Sequence, residues 1–229
     1  MRALLYDVHG NLPALEAVLT DARAAGAERF LLGGDYAFAG AFPEETIERL
    51  DSLEADRLRG NGERWTGDPS AAPDDPWVQR ALAWCRQRLG EERTAALASL
   101  PETHGEGEVL FCHASPHSDL ETFLPEPAPE EERLLAGADA KVLVFGHSHL
   151  QFRRHAGDRL LVNPGSVGMP FDGDRRAAYT LWDGRRTFEP RRVEYDADGY
   201  VAAVQERMAE IGKPLETLVR RLEQAAFVD

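Results

Sequence analysis

Asp7, His9, Asp35, Asn61, His113, His147 and His149 offer carboxylate oxygens, imidazole nitrogens and one amide oxygen. Residues two apart in an extended segment share a face, so Asp7 can converge with His9 and His147 with His149. Such donors suit borderline first-row divalent ions, Mn, Ni, Fe, Co or Zn, with no thiolate needed. The set exceeds what one tetrahedral ion uses. Two ions sharing a carboxylate would engage all of it, with Asp35, which lies in sequence between the two clusters, as the bridge. An ion pair of that kind lowers the pKa of a water, orients phosphate oxygens and stabilises the charge of an in-line displacement.

Each of these residues also has an ordinary structural use. A lone histidine can be a hydrogen-bonded core residue, Asp7 or Asp35 a helix cap, and Gly146-His147-Ser148-His149 a turn. Asn61-Gly62, within RGNGERW, is itself a strong turn signal. What outweighs these readings is position. His9, His113, His147 and His149 all fall at the ends of proposed strands, and packing gives no reason for that.

The elements that deliver them follow from hydrophobic pattern. Residues 2 to 6 read as a buried strand ending at Asp7, followed by a helix capped by Asn11, with Pro13 in its first turn and Gly26 as its stop. The unit recurs: a strand at 28 to 32 ends in Gly33-Gly34-Asp35, a helix spans 43 to 54, and a strand at 56 to 59 runs into Gly60-Asn61. A polar loop at 66 to 76 precedes a helical stretch, 77 to 100, with a break near Gly90. Strands at 108 to 112 and 141 to 145 end at His113 and at Gly146-His147. Closely spaced strands follow at 150 to 155, 159 to 162, 177 to 182 and 187 to 195, then helices at 196 to 211 and 214 to 228. Ligands of open α/β sheets gather at the carboxyl ends of strands. The predicted fold is α/β, a four-layer α/β/β/α sandwich in one domain spanning 1-229, and no GxGxxG or GxxxxGK[ST] loop points to a nucleotide-binding fold.

Composition limits the partners. The 229 residues carry a formal charge of -14, and every basic residue except Lys141 and Lys213 is arginine. That field disfavours duplex nucleic acid and anionic membrane surfaces, while a metal-charged cleft can still attract a phosphate. Cys85 and Cys112 sit in apolar surroundings as reduced packing thiols. The N-terminus turns polar at its seventh residue, too early for a signal peptide, and no apolar run approaches a membrane span. The expected setting is cytoplasmic, with a small phosphoester or nucleotide-like substrate; residues 77 to 100 and the terminal helices are where a homo-oligomer could form.

The ordered elements Asp7-Val8-His9, Gly34-Asp35, Gly60-Asn61, His113 and Gly146-His147-Ser148-His149 resemble the calcineurin-like metallophosphoesterase superfamily. With LVNPGSVGMP at 161 to 170, the chain is similar to its small prokaryotic YfcE/MJ0936-like phosphodiesterase branch. The resemblance implies that Asp7, His9 and His149 hold one ion, that Asp35 bridges, and that Asn61, His113 and His147 hold the other. It also implies phosphoester hydrolysis by metal-activated hydroxide without a phosphoenzyme. Asn163 and Ser166 would position the site loop or approach the phosphate.

One element departs from the family pattern. The usual GNH followed by an acid is here Gly60-Asn61-Gly62-Glu63, so the histidine that faces the leaving group is missing. A missing general acid forfeits about 10²- to 10⁴-fold on poor leaving groups. His117 is the first candidate replacement, ahead of His155 and Glu63, and water is the remaining proton source. A histidine placed at 62 should aid poor leaving groups more than good ones. The vacated space could admit a second ester substituent, walled by Trp65 or by Phe171, Asp172, Asp174 and Arg175. The leading expectation is therefore a phosphodiesterase, with a broad phosphomonoesterase or a non-catalytic metal-binding scaffold as alternatives.

Overall fold

The computed structural model describes residues 1–228. Two five-stranded mixed sheets lie face to face and are flanked by helices. The first sheet has the order β10-β9-β1-β2-β3 and is built from β1 (Arg2–Leu5), β2 (Arg29–Leu32), β3 (Ala55–Arg57), β9 (Ala177–Trp182) and β10 (Phe188–Val193). The second has the order β4-β5-β6-β8-β7, from β4 (Thr103–Glu106), β5 (Val109–Cys112), β6 (Val142–Val144), β7 (Phe152–Ala156) and β8 (Arg159–Asn163).

In each sheet three adjacent strands run parallel, β1-β2-β3 and β5-β6-β8, and their partners are antiparallel. All the predicted donors follow directly on these parallel strands. The layout matches a metallophosphoesterase-type sandwich.

Strand alternation sorts β1 between two cores. Ala3 and Leu5 face the helices α1 (Leu12–Ala24), α2 (Pro43–Asp51), α4 (Pro76–Ala98), α6 (Ala197–Arg207) and α7 (Leu215–Gln224), together with α3 (Asn61–Gly67). Leu4 and Tyr6 face the other sheet, where they cluster with its Phe111, Val144 and Val162 and with Trp182 of their own sheet. Each fully buried leucine here contributes about 1.5–3 kcal/mol relative to exposure. The outer face of the second sheet is covered more thinly, by the short α5 (Glu131–Leu135) and by Phe123.

Three local expectations need revision. Asn61-Gly62 does not form a turn: Gly60 is the cap and Asn61 the first residue of α3, with Arg64 N–H donating to Gly60 O at 3.2 Å. The strand Thr103–Glu106 has no hydrophobic pattern to mark it, because THGE is polar; as an edge strand paired only to β5 it needs no apolar face. The five-residue α5 is too short to show a period. The expected break at Gly90 is present, with φ 77 and ψ 164 inside α4.

Candidate metal centre

Five of the predicted donors adopt positive φ: Asp7 (54), His9 (48), Asp35 (55), His147 (65) and His149 (59). Non-glycine residues rarely occupy that region, and they persist there only where the surroundings over-determine them. Here each strand must turn sharply as it leaves the sheet to aim a side chain back across the sheet ends. Interlocking backbone bonds hold the turns: Asp7 N–H donates to Gly34 O at 3.1 Å and His9 N–H to Asp35 O at 2.9 Å.

The imidazoles are aimed by a common device. Nδ1 donates to a backbone carbonyl in His9 (Phe38 O, 2.8 Å), His113 (Gly33 O, 2.9 Å) and His149 (Met169 O, 2.5 Å). That fixes the tautomer and points each Nε2 at the centre, the arrangement typical of metal-binding histidines. His9 Nε2 and His149 Nε2 stand 3.2 Å apart, and His113 Nε2 lies 3.0 Å from Asn61 Oδ1. Asp35 spans both sides, with Oδ2 3.7 Å from His9 Nε2 and Oδ1 3.6 Å from His113 Nε2.

Two donor groups result, Asp7-His9-His149 and Asp7-Asp35-His113, each with all its ligand atoms within 4.8 Å of one another. Asp7 belongs to both, so it shares the junction with Asp35. The half-buried His147 lies beside them, its ring 5.3 Å from that of His113, and its backbone N–H donates to Asp7 Oδ2 at 3.1 Å.

Electrostatics fit divalent cations. Burial, reinforced by the charge of Asp35 and opposed by His113, pushes Asp7 up to about 8. Burial and Asp35 push Glu63 up to about 7. Burial also holds His149 well below its ordinary value, lowers His9, and with His113 brings His147 down to about 4. Burial pulls His113 down as well, but the carboxylates of Asp35 and Asp7 outweigh it and the net shift is upward. Crowded buried carboxylates facing neutral imidazole lone pairs are the environment that cations relieve.

Glu63 has a role that the sequence left open. Its buried carboxylate accepts from the backbone N–H groups of Asp35 (2.8 Å), Tyr36 (2.8 Å) and Gly60 (2.9 Å). It thereby ties the end of β2 to the start of α3. Asn163 and Ser166 act similarly: Asn163 Nδ2 donates to Gly146 O at 3.2 Å and Ser148 Oγ at 2.9 Å, and Ser166 Oγ donates to Asp7 O at 2.7 Å.

Five of the donors, His9, Asp35, Asn61, His147 and His149, line a cleft of about 850 Å³. Trp65 and Phe171 line it as expected, and so do Phe38, Trp77 and Phe227, whose isolated aromatic letters carried no signal. Arg175 instead pairs with Asp198 at 2.8 Å, while Asp172 and Asp174 pair with Arg192 and Arg176. His117 is exposed, with Nε2 2.5 Å from Ala136 O, and lines a neighbouring cavity next to His113. His155 lies on β7, lining another cavity. Gly62 N–H donates to Asp35 Oδ1 at 2.7 Å, and a Cβ at this position would stand 2.8 Å from that oxygen and 3.1 Å from Phe38 Cβ. A histidine at 62 therefore cannot be added without moving Asp35 or Phe38.

These paired clusters of aspartate and histidine at the ends of parallel strands form the active site of a dinuclear-metal-dependent phosphoesterase. Comparison with known proteins agrees. The sequence profile of the calcineurin-like phosphoesterase superfamily domain matches residues 1–185. The uncharacterized protein MJ0912 of Methanocaldococcus jannaschii is 31% identical over 92% of this chain and 94% of its own. Phosphodiesterase YfcE of Escherichia coli K12 is 30% identical over 77% of this chain and 84% of its own. The crystal structure of a metallophosphoesterase from Sphaerobacter thermophilus superposes with a TM-score of 0.81 at 27% identity, covering 98% of both chains. With the profile matching most of its length and the donors meeting where the two sheets end, the chain belongs to the calcineurin-like phosphoesterase superfamily.

Proposed function

We propose that this protein hydrolyses small phosphodiesters with two divalent ions drawn from Mn, Ni, Fe, Co and Zn. When bound, the ions supply Lewis acidity toward phosphate oxygens and lower the pKa of the attacking water. Asp7, His9 and His149 would hold one ion and Asn61, His113 and His147 the other. Asp35 would serve both ions, and Asp7, which belongs to both donor groups, would share that junction. Asn61, whose Oδ1 is 3.0 Å from His113 Nε2, would add electrostatic support for the charge that develops on the phosphate oxygens. Asn163, Ser166 and Glu63 hold the ligand-bearing turns in place.

The observation that carries diester over monoester chemistry is the cleft: about 850 Å³ of mostly apolar space above the donors, with no histidine at position 62. That space has room for a second ester substituent beside the first. The relative named a phosphodiesterase supports the same choice. With glycine in place of histidine at 62, the reaction suits esters whose leaving groups are already acidic, with water as the proton source. His117 would serve only if its ring left the carbonyl of Ala136.

Buried free Cys85 and Cys112 support a reducing, cytoplasmic setting, and among the described residues no helix is long and apolar enough to cross a membrane. The test compares kcat/KM for a nitrophenyl phosphodiester and the corresponding monoester after metal removal and return of Mn or Ni. A higher value for the monoester would replace this reading with a phosphomonoesterase. Two bound ions with no turnover of either ester would replace it with a scaffold.

A further inference from the structure

One wall of the cleft comes from beyond residue 185, where the family match ends. Leu218 and Arg221 of α7 contribute to it, and so do Ala226 and Phe227 just after. This segment is fixed over the site. Ala225 turns with φ 47 and its carbonyl accepts from Gly173 N–H at 2.9 Å. The Arg221 guanidinium lies over the Phe227 ring at 4.3 Å, and its Nε donates to Val228 O at 2.8 Å.

The aromatic rings are continuous with the donor cluster. Phe171 stacks on His149 with centroids 4.4 Å apart and planes 14° apart. Phe227 meets Phe171 edge-on at 5.7 Å. Phe38 and Trp65 stand in the same cleft, edge to face at 5.9 Å. The mouth is also unusually apolar. Leu120, Leu124 and Phe227, three of the four exposed large hydrophobic side chains among the described residues, all line it, and Phe227 is 65% exposed. Clustered exposure of that kind marks a binding surface, whereas scattered apolar residues need no explanation.

Resting on the phosphodiesterase reading, we propose that Phe171 and Phe227 are specificity residues that select diesters bearing an aromatic substituent, the class that includes phenols and nucleobases. With the phosphate over the donors, a planar substituent extends along the Phe171-Phe227 line, gaining apolar burial and ring-to-ring geometry. A methyl substituent leaves that wall wet. Arg221 is already engaged by the Phe227 ring and the Val228 carbonyl, so the wall offers aromatic area more than charge.

The experiment measures binding, by calorimetry, of three non-hydrolysable diester mimics to the manganese-loaded full chain: diphenylphosphinate, dicyclohexylphosphinate and dimethylphosphinate. Diphenylphosphinate should bind about tenfold more tightly than dimethylphosphinate and at least about threefold more tightly than dicyclohexylphosphinate. Phe227→Ala should cut the diphenyl-to-dimethyl ratio at least about threefold, and Phe227→Tyr should restore it. Equal affinities for the diphenyl and dimethyl compounds, a dicyclohexyl affinity matching the diphenyl one, or a ratio unmoved by Phe227→Ala would overturn the proposal. Nitrophenyl diester turnover, followed on the same samples, separates the two failures: its absence sinks the phosphodiesterase reading, whereas the phosphinate ratio alone judges the aromatic wall.

Discussion

His9 Nε2 and His149 Nε2 face each other across 3.2 Å, while the opposite nitrogen of each ring donates to a backbone carbonyl. Two imidazole lone pairs are thereby held toward one point next to the carboxylate of Asp7, whose Oδ1 is 3.6 Å from His149 Nε2. Two imidazole nitrogens and a carboxylate converging in this way form a donor set suited to a divalent cation.

Removing one lone pair should remove one ion. His149→Ala is expected to retain the fold and to drop the ion content, after metal loading and desalting, from two per chain to about one. Elemental analysis reads this directly. Full retention of both ions would show that His149 only packs against Phe171.

Glu63 is a positioning residue, and its substitution should show as lost order rather than lost chemistry alone. In Glu63→Gln one acceptor oxygen becomes an NH₂ donor facing backbone N–H groups that now donate to it. The expected loss is about 1–3 kcal/mol of stability, together with weaker metal retention. Urea unfolding of the metal-free and metal-loaded variant reads both; wild-type stability in both states would contradict the role.

Asp7 should give the metal-free protein a distinctive pH dependence. Its folded value, raised by burial to about 8, lies above the ordinary carboxylate value near 3.8. The stabilisation from its protonated form is therefore complete below about 3.8 and is lost progressively as the pH rises through about 8. Thermal unfolding of metal-free wild type and Asp7→Asn should show the variant gaining on the wild type between pH 5 and pH 8. A melting-temperature gap that stays constant across this range would argue against a raised Asp7.

Gly62→His should fail to restore a general acid. The added Cβ would approach Asp35 Oδ1 to 2.8 Å, and the displaced carboxylate is one that spans both donor groups. Lower ion content and slower hydrolysis across a leaving-group series are expected, with no selective gain for poor leaving groups. Faster turnover of alkyl esters at full ion content would show that Phe38 yields instead.

The donor set and its delivery were legible because two independent patterns coincide. Short runs mark strands, and a candidate metal donor stands just after five of them; neither needs long-range information. The fold class followed from the same runs. RGNGERW shows the limit of local reading: Asn-Gly signals a turn, but contacts of Glu63 with the ends of β2 and β3 draw the segment into the first turn of α3. Tertiary hydrogen bonds overrode a local preference there.

The sequence by itself determined which atoms could bind metal and that strand ends would carry them, since residue type and hydrophobic pattern are local properties; that those strands run parallel is a tertiary fact. Only the tertiary structure decided that Asp7 shares the junction with Asp35 and that Gly62 is hemmed in by Asp35 and Phe38. It alone also brings Phe227 beside Phe171, 56 residues away in the chain, so that α7 and the turn after β8 form one wall. These are consequences of how two sheets and a distant helix pack, and no short stretch of the chain encodes them.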